Sequence, residues 1–293
     1  MRKPVHSAMD IGRDPVKSES CETSKHQQRP LDAKKVALVT GASSGIGANI
    51  AVDLAATDDY IVILVGRSLD KLAQVELKCQ QTVLKSNPDS RDVCAYKFVC
   101  DLDNFEQLDG LIGFIKTKFN RLDLLVNNAC YRGGIKNISD KDSFHDLEKA
   151  MVLNVHVPMY LINKCLLPLN SDCSREPVLI NISSIASQVA VPLNCYSISK
   201  SCLSELTRQI ALRDECGIKA ITISPGPILT EERPHHQSMS EYTLVNRVGT
   251  TQEVSDLVLF AAENACLFNG QELFIDGGYL AKTKQKRPAV IQQ

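Results

Sequence analysis

Tyr196 and Lys200 stand four residues apart in the segment YSISK. On a helix that spacing puts both side chains on one face, about a turn apart. A phenol with its ordinary pKa of about 10 exchanges a proton reluctantly at neutral pH. An ammonium roughly 6 Å away, at an effective dielectric of about 20, favours the phenolate by about 2.8 kcal/mol, or about two pKa units before desolvation. The pair is therefore expected to serve as a general acid/base, with the lysine lowering the tyrosine pKa. The same spacing also suits a solvated helix face, so the pair gains meaning only from the elements that would position it.

The first of those elements is KKVALVT, Lys34–Thr40, an apolar β-branched run of the kind that forms a buried parallel strand. It leads into the turn GASSGIG, with Gly41, Ser43, Ser44, Gly45, Ile46 and Gly47, and then into NIAVDLAA, which has helical spacing. Glycines let the chain reverse tightly and let an anion approach the backbone, while the helix N-terminus offers free N–H groups and partial positive charge. Further apolar runs follow at YIVILVGR, CAYKFVCDL, LDLLVNNAC, PVLINISS and KAITISPGPILT, with helical stretches between them. A helix from about Ser68 to Lys85 ends at Ser86-Asn87-Pro88. Another spans about Asp142 to Leu167, with Pro158 implying a kink or break.

TGASSGIG, with its GxxxGxG spacing, followed much later by YSISK, resembles the short-chain dehydrogenase/reductase family, and within it carbonyl reductases like the 3-oxoacyl-carrier-protein reductases. The resemblance runs from Lys34 to Tyr279. It implies an α/β chain with a three-layer Rossmann fold, a doubly wound, mostly seven-stranded parallel sheet with helices on both faces. Residues 34–280 would form one domain, with a disordered tail over 1–33 and a flexible tail over 281–293. The implied activity is hydride transfer between NADP(H) and a ketone, aldehyde or secondary alcohol. An alternative is a catalytically silent NADP(H)-binding sensor or scaffold.

Cofactor choice is read at the exit of YIVILVGR. An acidic residue there would bond a ribose hydroxyl, whereas an arginine accommodates a phosphate, and this chain has Gly66 and Arg67. NADP(H) is therefore favoured over NAD(H). By resemblance, Asp101 and Leu102 lie against the adenine, and Asp101 also suits a helix N-cap for the segment beginning at Asn104. Asn128 and Ala129 belong to NNAC, where the family commonly reads NNAG, so Cys130 departs from the pattern. Pro225, Gly226, Ile228 and Thr230 form a PGxxxT turn implied to face the nicotinamide carboxamide.

The implied catalytic set is Asn154, Ser184, Tyr196 and Lys200. Ser184 and Tyr196 would polarise the carbonyl, Tyr196 would donate the proton, Lys200 would bond the nicotinamide ribose, and Asn154 with a water would return the proton. Ser184 is selected over Ser183 by the alignment through SSIAS, although Ser184 to Tyr196 is 12 positions where the family commonly has thirteen, a shortening that falls after Pro192. Glu231–Arg247 would be the substrate lid, with His235 and His236 expected to be solvated and no metal site implied.

Composition narrows the remaining classes. The chain has 293 residues, 44% hydrophobic and 23% charged, with a net charge of -1, which leaves no electrostatic footprint for nucleic acid or an anionic membrane. Eleven cysteines without a CxxC pair suggest reduced, mostly buried thiols in the cytoplasm. No window approaches the roughly 20 apolar residues of a membrane span. The implied partners are a small carbonyl or alcohol substrate and further copies of the chain in a homodimer or homotetramer.

Overall fold

Strand β1 (Lys35–Thr40) sends Val36 and Leu38 to one face and Ala37 and Val39 to the other, and all four are buried. A strand apolar on both faces needs a covering layer on each side. The computed structural model, which describes residues 34–90, 92–133, 143–170, 176–189, 195–213 and 217–285, supplies both layers. Strands β2 (Tyr60–Gly66), β3 (Ala95–Val99), β4 (Leu124–Asn127), β5 (Val178–Ile182), β6 (Lys219–Pro225) and β7 (Glu272–Ile275) join β1 in one sheet. The order is β3-β2-β1-β4-β5-β6-β7, and every pairing is parallel.

Helices α1 (Gly45–Ala56) and α2 (Leu69–Ser86) cover one face through Ile50, Leu54, Leu72 and Val75. The other face is covered by α3 (Phe105–Lys118) through Leu108 and Leu111, and by the segment carrying Val157 and Leu161. The chain runs outward from β1 to β3 and then returns to place β4 against the free side of β1. The winding therefore reverses between β1 and β4, and ligands of open α/β sheets bind in the crevice beyond the strand ends at such a point.

Three local expectations are corrected. Pro158 does not break its helix: α4 (Ser143–Met151) continues through a π turn (Val152–His156) into α5 (Val157–Leu161) and a second π turn (Ile162–Leu166). Proline has no N–H and its ring crowds the carbonyl four residues back, here that of Asn154; the widened turn just before it accommodates both. The cap of α3 is Asn104, whose side chain accepts from Gln107 N at 3.1 Å, whereas Asp101 uses its own N–H to bond Gln107 Oε1 at 2.7 Å. The chain end is helical beyond 280, in α7 (Tyr279–Gln285), and is tied down by Lys282, whose Nζ donates to the carbonyls of Glu241 and Thr243 at 2.7 and 2.9 Å. The expected tail over 1–33, the last residues from 286, and the shortened loop at 190–194 lie outside the described residues. Among the described residues, no helix is long and apolar enough to cross a membrane.

Candidate active site

The crevice at the reversal is held open by hydrogen bonds between the exits of β1 and β4. Thr40 Oγ1 accepts from the backbone N–H groups of Asn128 and Ala129 at 3.0 and 3.1 Å, and Asn128 Nδ2 donates to the Thr40 carbonyl at 2.9 Å. Gly41 turns the chain at φ +66°, where a side chain would be strained. Gly47 needs its hydrogen for another reason: a Cβ there would lie 2.4 Å from the Gly41 carbonyl oxygen. Gly47 is thus packed beneath the turn and does not line the crevice, unlike Gly41, Ser43, Ser44, Gly45 and Ile46. No acidic side chain occupies the first turn of α1, so its N-terminal charge faces the crevice uncompensated by its own helix. Ser44 Oγ donates to Glu232 Oε1 at 2.6 Å, bringing the start of the lid segment against the glycine turn.

The crevice has a volume of about 610 Å³, within the range of ligand sites. At one end, Arg67, Asp101 and Leu102 line it. Arg67 is exposed, and no ion pair joins it to Asp70 among the described residues. Ser68 and Lys71 line the same end and escaped the sequence reading. A lysine in the first turn of a helix opposes the macrodipole, and that mismatch was the available signal for Lys71. Together with the bare N-terminus of α1 and the narrow glycine turn, these groups fit a dinucleotide.

Toward the other end lie Ala129, Ile228, Thr230, Pro225 and Gly226, and with them Ser184, Tyr196 and Lys200. Helix α6 (Cys195–Ala211) carries Tyr196 and Lys200 on its buried face, through the four-residue spacing. Tyr196 is 8% exposed and Lys200 1% exposed. Lys200 Nζ lies 5.6 Å from the Tyr196 ring centroid and donates to the Ile182 carbonyl at 2.6 Å. Burial pushes the phenol up to about 12, aided by Cys130 and opposed by Arg132 and a hydrogen bond with Ser184. The expectation of a phenol made more acidic by the lysine is not met: desolvation dominates the shift, and what opposes it comes from Arg132 and Ser184. Burial also brings Lys200 down to about 8, with Cys130 opposing the shift and Arg132 adding to it.

The two serines separate by their bonds. Ser183 Oγ donates to the Lys200 carbonyl at 3.1 Å and accepts from Ser204 Oγ at 3.0 Å, so its hydroxyl is tied to α6. Ser184 bonds Tyr196 and accepts from Ala186 N at 3.1 Å. Asn154 does not line the crevice. It is fully buried in the first π turn, where Oδ1 accepts from Tyr131 N and Nδ2 donates to Tyr131 O, each at 2.7 Å, and Nδ2 also donates to Ser199 Oγ at 2.8 Å. Its side chain therefore pins the loop after β4 to α6.

That loop brings Tyr131 and Arg132, which the sequence reading did not single out, beside the Cys130 that departs from the family pattern. Cys130 lines the crevice with Tyr131 and Arg132. The Arg132 guanidinium lies 4.9 Å from the Tyr196 ring centroid. His236, expected to be solvated, lines the crevice and holds the Ile228 carbonyl through Nδ1 at 2.8 Å. Among the described residues, no group of three or more His, Cys, Asp or Glu is placed to hold a metal ion.

The family model described as short chain dehydrogenase matches residues 35–240. The 2-(R)-hydroxypropyl-CoM dehydrogenase of Xanthobacter autotrophicus is 30% identical over 261 residues, 84% of this chain and 99% of that protein. The 7alpha-hydroxysteroid dehydrogenase of Escherichia coli is 29% identical over 253 residues, 83% of this chain and 93% of that one. Among solved structures, ElxO with NADP bound superposes with a TM-score of 0.74 at 27% identity, covering 85% of this chain and 99% of that chain.

Proposed function

The chain belongs to the short-chain dehydrogenase family, and from that premise we propose that it is an NADP(H)-dependent reductase of ketones or aldehydes, working also on the corresponding secondary alcohols. Its broader class is that of an NAD(P)-dependent dehydrogenase or reductase. The observation that carries the proposal is the buried phenol of Tyr196, bonded to Ser184 and facing the inner end of the crevice.

When bound, the nicotinamide supplies or accepts the hydride. Ser184 and Tyr196 hold the carbonyl oxygen, and Tyr196 gives it the proton. A phenol pushed to about 12 stays protonated at neutral pH, which suits donation. Lys200 would bond the ribose beside it, and the π turn of Asn154, followed by a proline with no N–H, offers a carbonyl through which a water could return the proton. Asn154 is a positioning residue, acting through Tyr131 and Ser199. The glycine turn would hold the pyrophosphate, while Arg67, with Ser68 and Lys71, would hold the additional phosphate. ElxO, whose structure carries NADP, supports this choice.

Exposed Phe260, Leu267 and Phe274 at the β7 side support a homodimer or homotetramer. The described cysteines are all unpaired, in keeping with a cytoplasmic setting.

Separate fluorescence titrations of NADPH and NADH, followed by cofactor oxidation with a panel of carbonyl compounds, test the reading. NADPH should bind at least about tenfold more tightly, a difference of about 1.4 kcal/mol. Equal or reversed affinities would overturn the cofactor assignment. Tight binding without oxidation on any carbonyl would favour the silent sensor.

A further inference from the structure

The substrate end of the crevice carries an excess of positive charge that the proposed chemistry leaves unused. Arg132 lies over the Tyr196 ring, and its Nε is buried without a hydrogen-bond partner. A guanidinium presents five donors in a planar fork, and a buried donor left unpaired is costly unless a ligand meets it. Lys149 reaches the same end of the crevice from α4, with its Nζ 6.0 Å from the Tyr131 ring centroid. The neighbouring carboxylates are occupied: Asp146 accepts from the Tyr131 hydroxyl, and Glu232 accepts from Ser44 at the glycine turn. Among the described residues, no carboxylate forms an ion pair with Arg132 or Lys149. The anionic groups of a dinucleotide are matched elsewhere, by the glycine turn and Arg67.

We infer that the substrate is an anionic carbonyl compound, a keto acid or keto phosphate, whose charged group is received by Arg132 while its carbonyl meets Tyr196. The inference rests on the reductase reading and deepens it by naming the substrate class. The guanidinium lies close to the ring that carries the reacting hydroxyl, so the anion belongs within a few bonds of the carbonyl carbon. A carboxylate or phosphate there accepts two parallel N–H···O bonds from the fork, which fixes the carbonyl relative to the phenol as well as binding the molecule. Lys149 adds attraction for the anion from the open side.

Three matched pairs serve as probes: acetoacetate with its ethyl ester, levulinate with its ethyl ester, and dihydroxyacetone phosphate with dihydroxyacetone. Their Kd values are measured by NADPH fluorescence in the Tyr196→Phe background, where turnover does not intervene, and kcat/KM is measured in the wild-type enzyme. At least one anion should bind and react about ten- to a hundredfold better than its neutral partner, the range of a charge-assisted hydrogen bond. Arg132→Met should abolish that ratio and Arg132→Lys should keep part of it, with circular dichroism and NADPH binding reporting that each variant is folded. Equal affinity for charged and neutral partners in all three pairs, or a ratio that survives Arg132→Met, would overturn the inference. Turnover of neutral ketones without an anion preference would leave the reductase reading standing and remove this one. Arg132-dependent anion binding with no carbonyl reduced would do the reverse.

Discussion

Replacing Lys200 with methionine separates what the lysine costs the fold from what it does in the crevice. Burial lowers this ammonium from 10.5 to about 8, a difference of about 2.5 units. At 1.36 kcal/mol per unit, the charged form is destabilised by about 3 kcal/mol relative to the unfolded chain. The unfolded lysine keeps its proton until its ordinary pKa, whereas the folded one releases it near 8. Between those values the unfolded state binds more protons, so stability rises with pH. Tyr196 acts oppositely: its folded pKa of about 12 exceeds the ordinary 10.0, so its contribution is lost as pH rises above 10. Burial also raises Cys79, Cys94, Cys100, Cys165 and Cys195, whose contribution to stability is lost as pH rises above about 9, so the Lys200 gain of about 2–3 kcal/mol is read across pH 8 to 10 as the difference between wild type and variant, in which the cysteines cancel. Lys200→Met removes this titration and also the bond to the Ile182 carbonyl, whose loss costs about 1–3 kcal/mol. Near neutrality the two effects nearly cancel, leaving the variant about as stable as wild type but inactive. Urea unfolding followed by circular dichroism at intervals across the window reads the slope. A variant whose stability changes with pH in parallel with wild type across this window would refute the reasoning.

Three further substitutions divide the roles within the crevice. Ser184→Ala should lower kcat/KM by about a hundredfold or more, the cost of one donor to a developing oxyanion, while Ser183→Ala should cost about 1–2 kcal/mol of stability by unmaking its bond to α6; steady-state kinetics and urea midpoints read the two. Gly47→Ala forces a methyl against the Gly41 carbonyl, so urea unfolding should show a loss of about 1–3 kcal/mol and fluorescence titration a weaker NADPH complex. Arg67→Ser should weaken NADPH by about ten- to a hundredfold while sparing NADH, read by parallel titrations.

The sheet was legible because buried parallel strands read as near-continuous apolar runs, as β2 does throughout and β5 does but for Asn181. The glycine turn was equally plain, since few sequences place three glycines between such a strand and a helix. Spacing placed Tyr196 and Lys200 on one face, yet it carries no information about how deeply that face is buried. That is why the sign of the phenol shift escaped it. Gly47 was read as a cofactor contact because motif position does not distinguish a glycine that faces the ligand from one that packs beneath the turn. Pro158 suggested a break, but a π turn absorbs a proline without one. Arg132 and His236 lie in segments with no periodicity, and only the folded chain brings them to Tyr196 and Ile228.

Tyr196→Phe removes one oxygen from the crevice and leaves its walls in place. With a carbonyl compound that the wild-type protein reduces, single-turnover oxidation of bound NADPH in this variant should fall by about 10²–10⁴-fold while the NADPH Kd stays within a few-fold of wild type. Oxidation within tenfold of the wild-type rate would mean that another group supplies the proton, and the assignment of Tyr196 as the acid would be wrong.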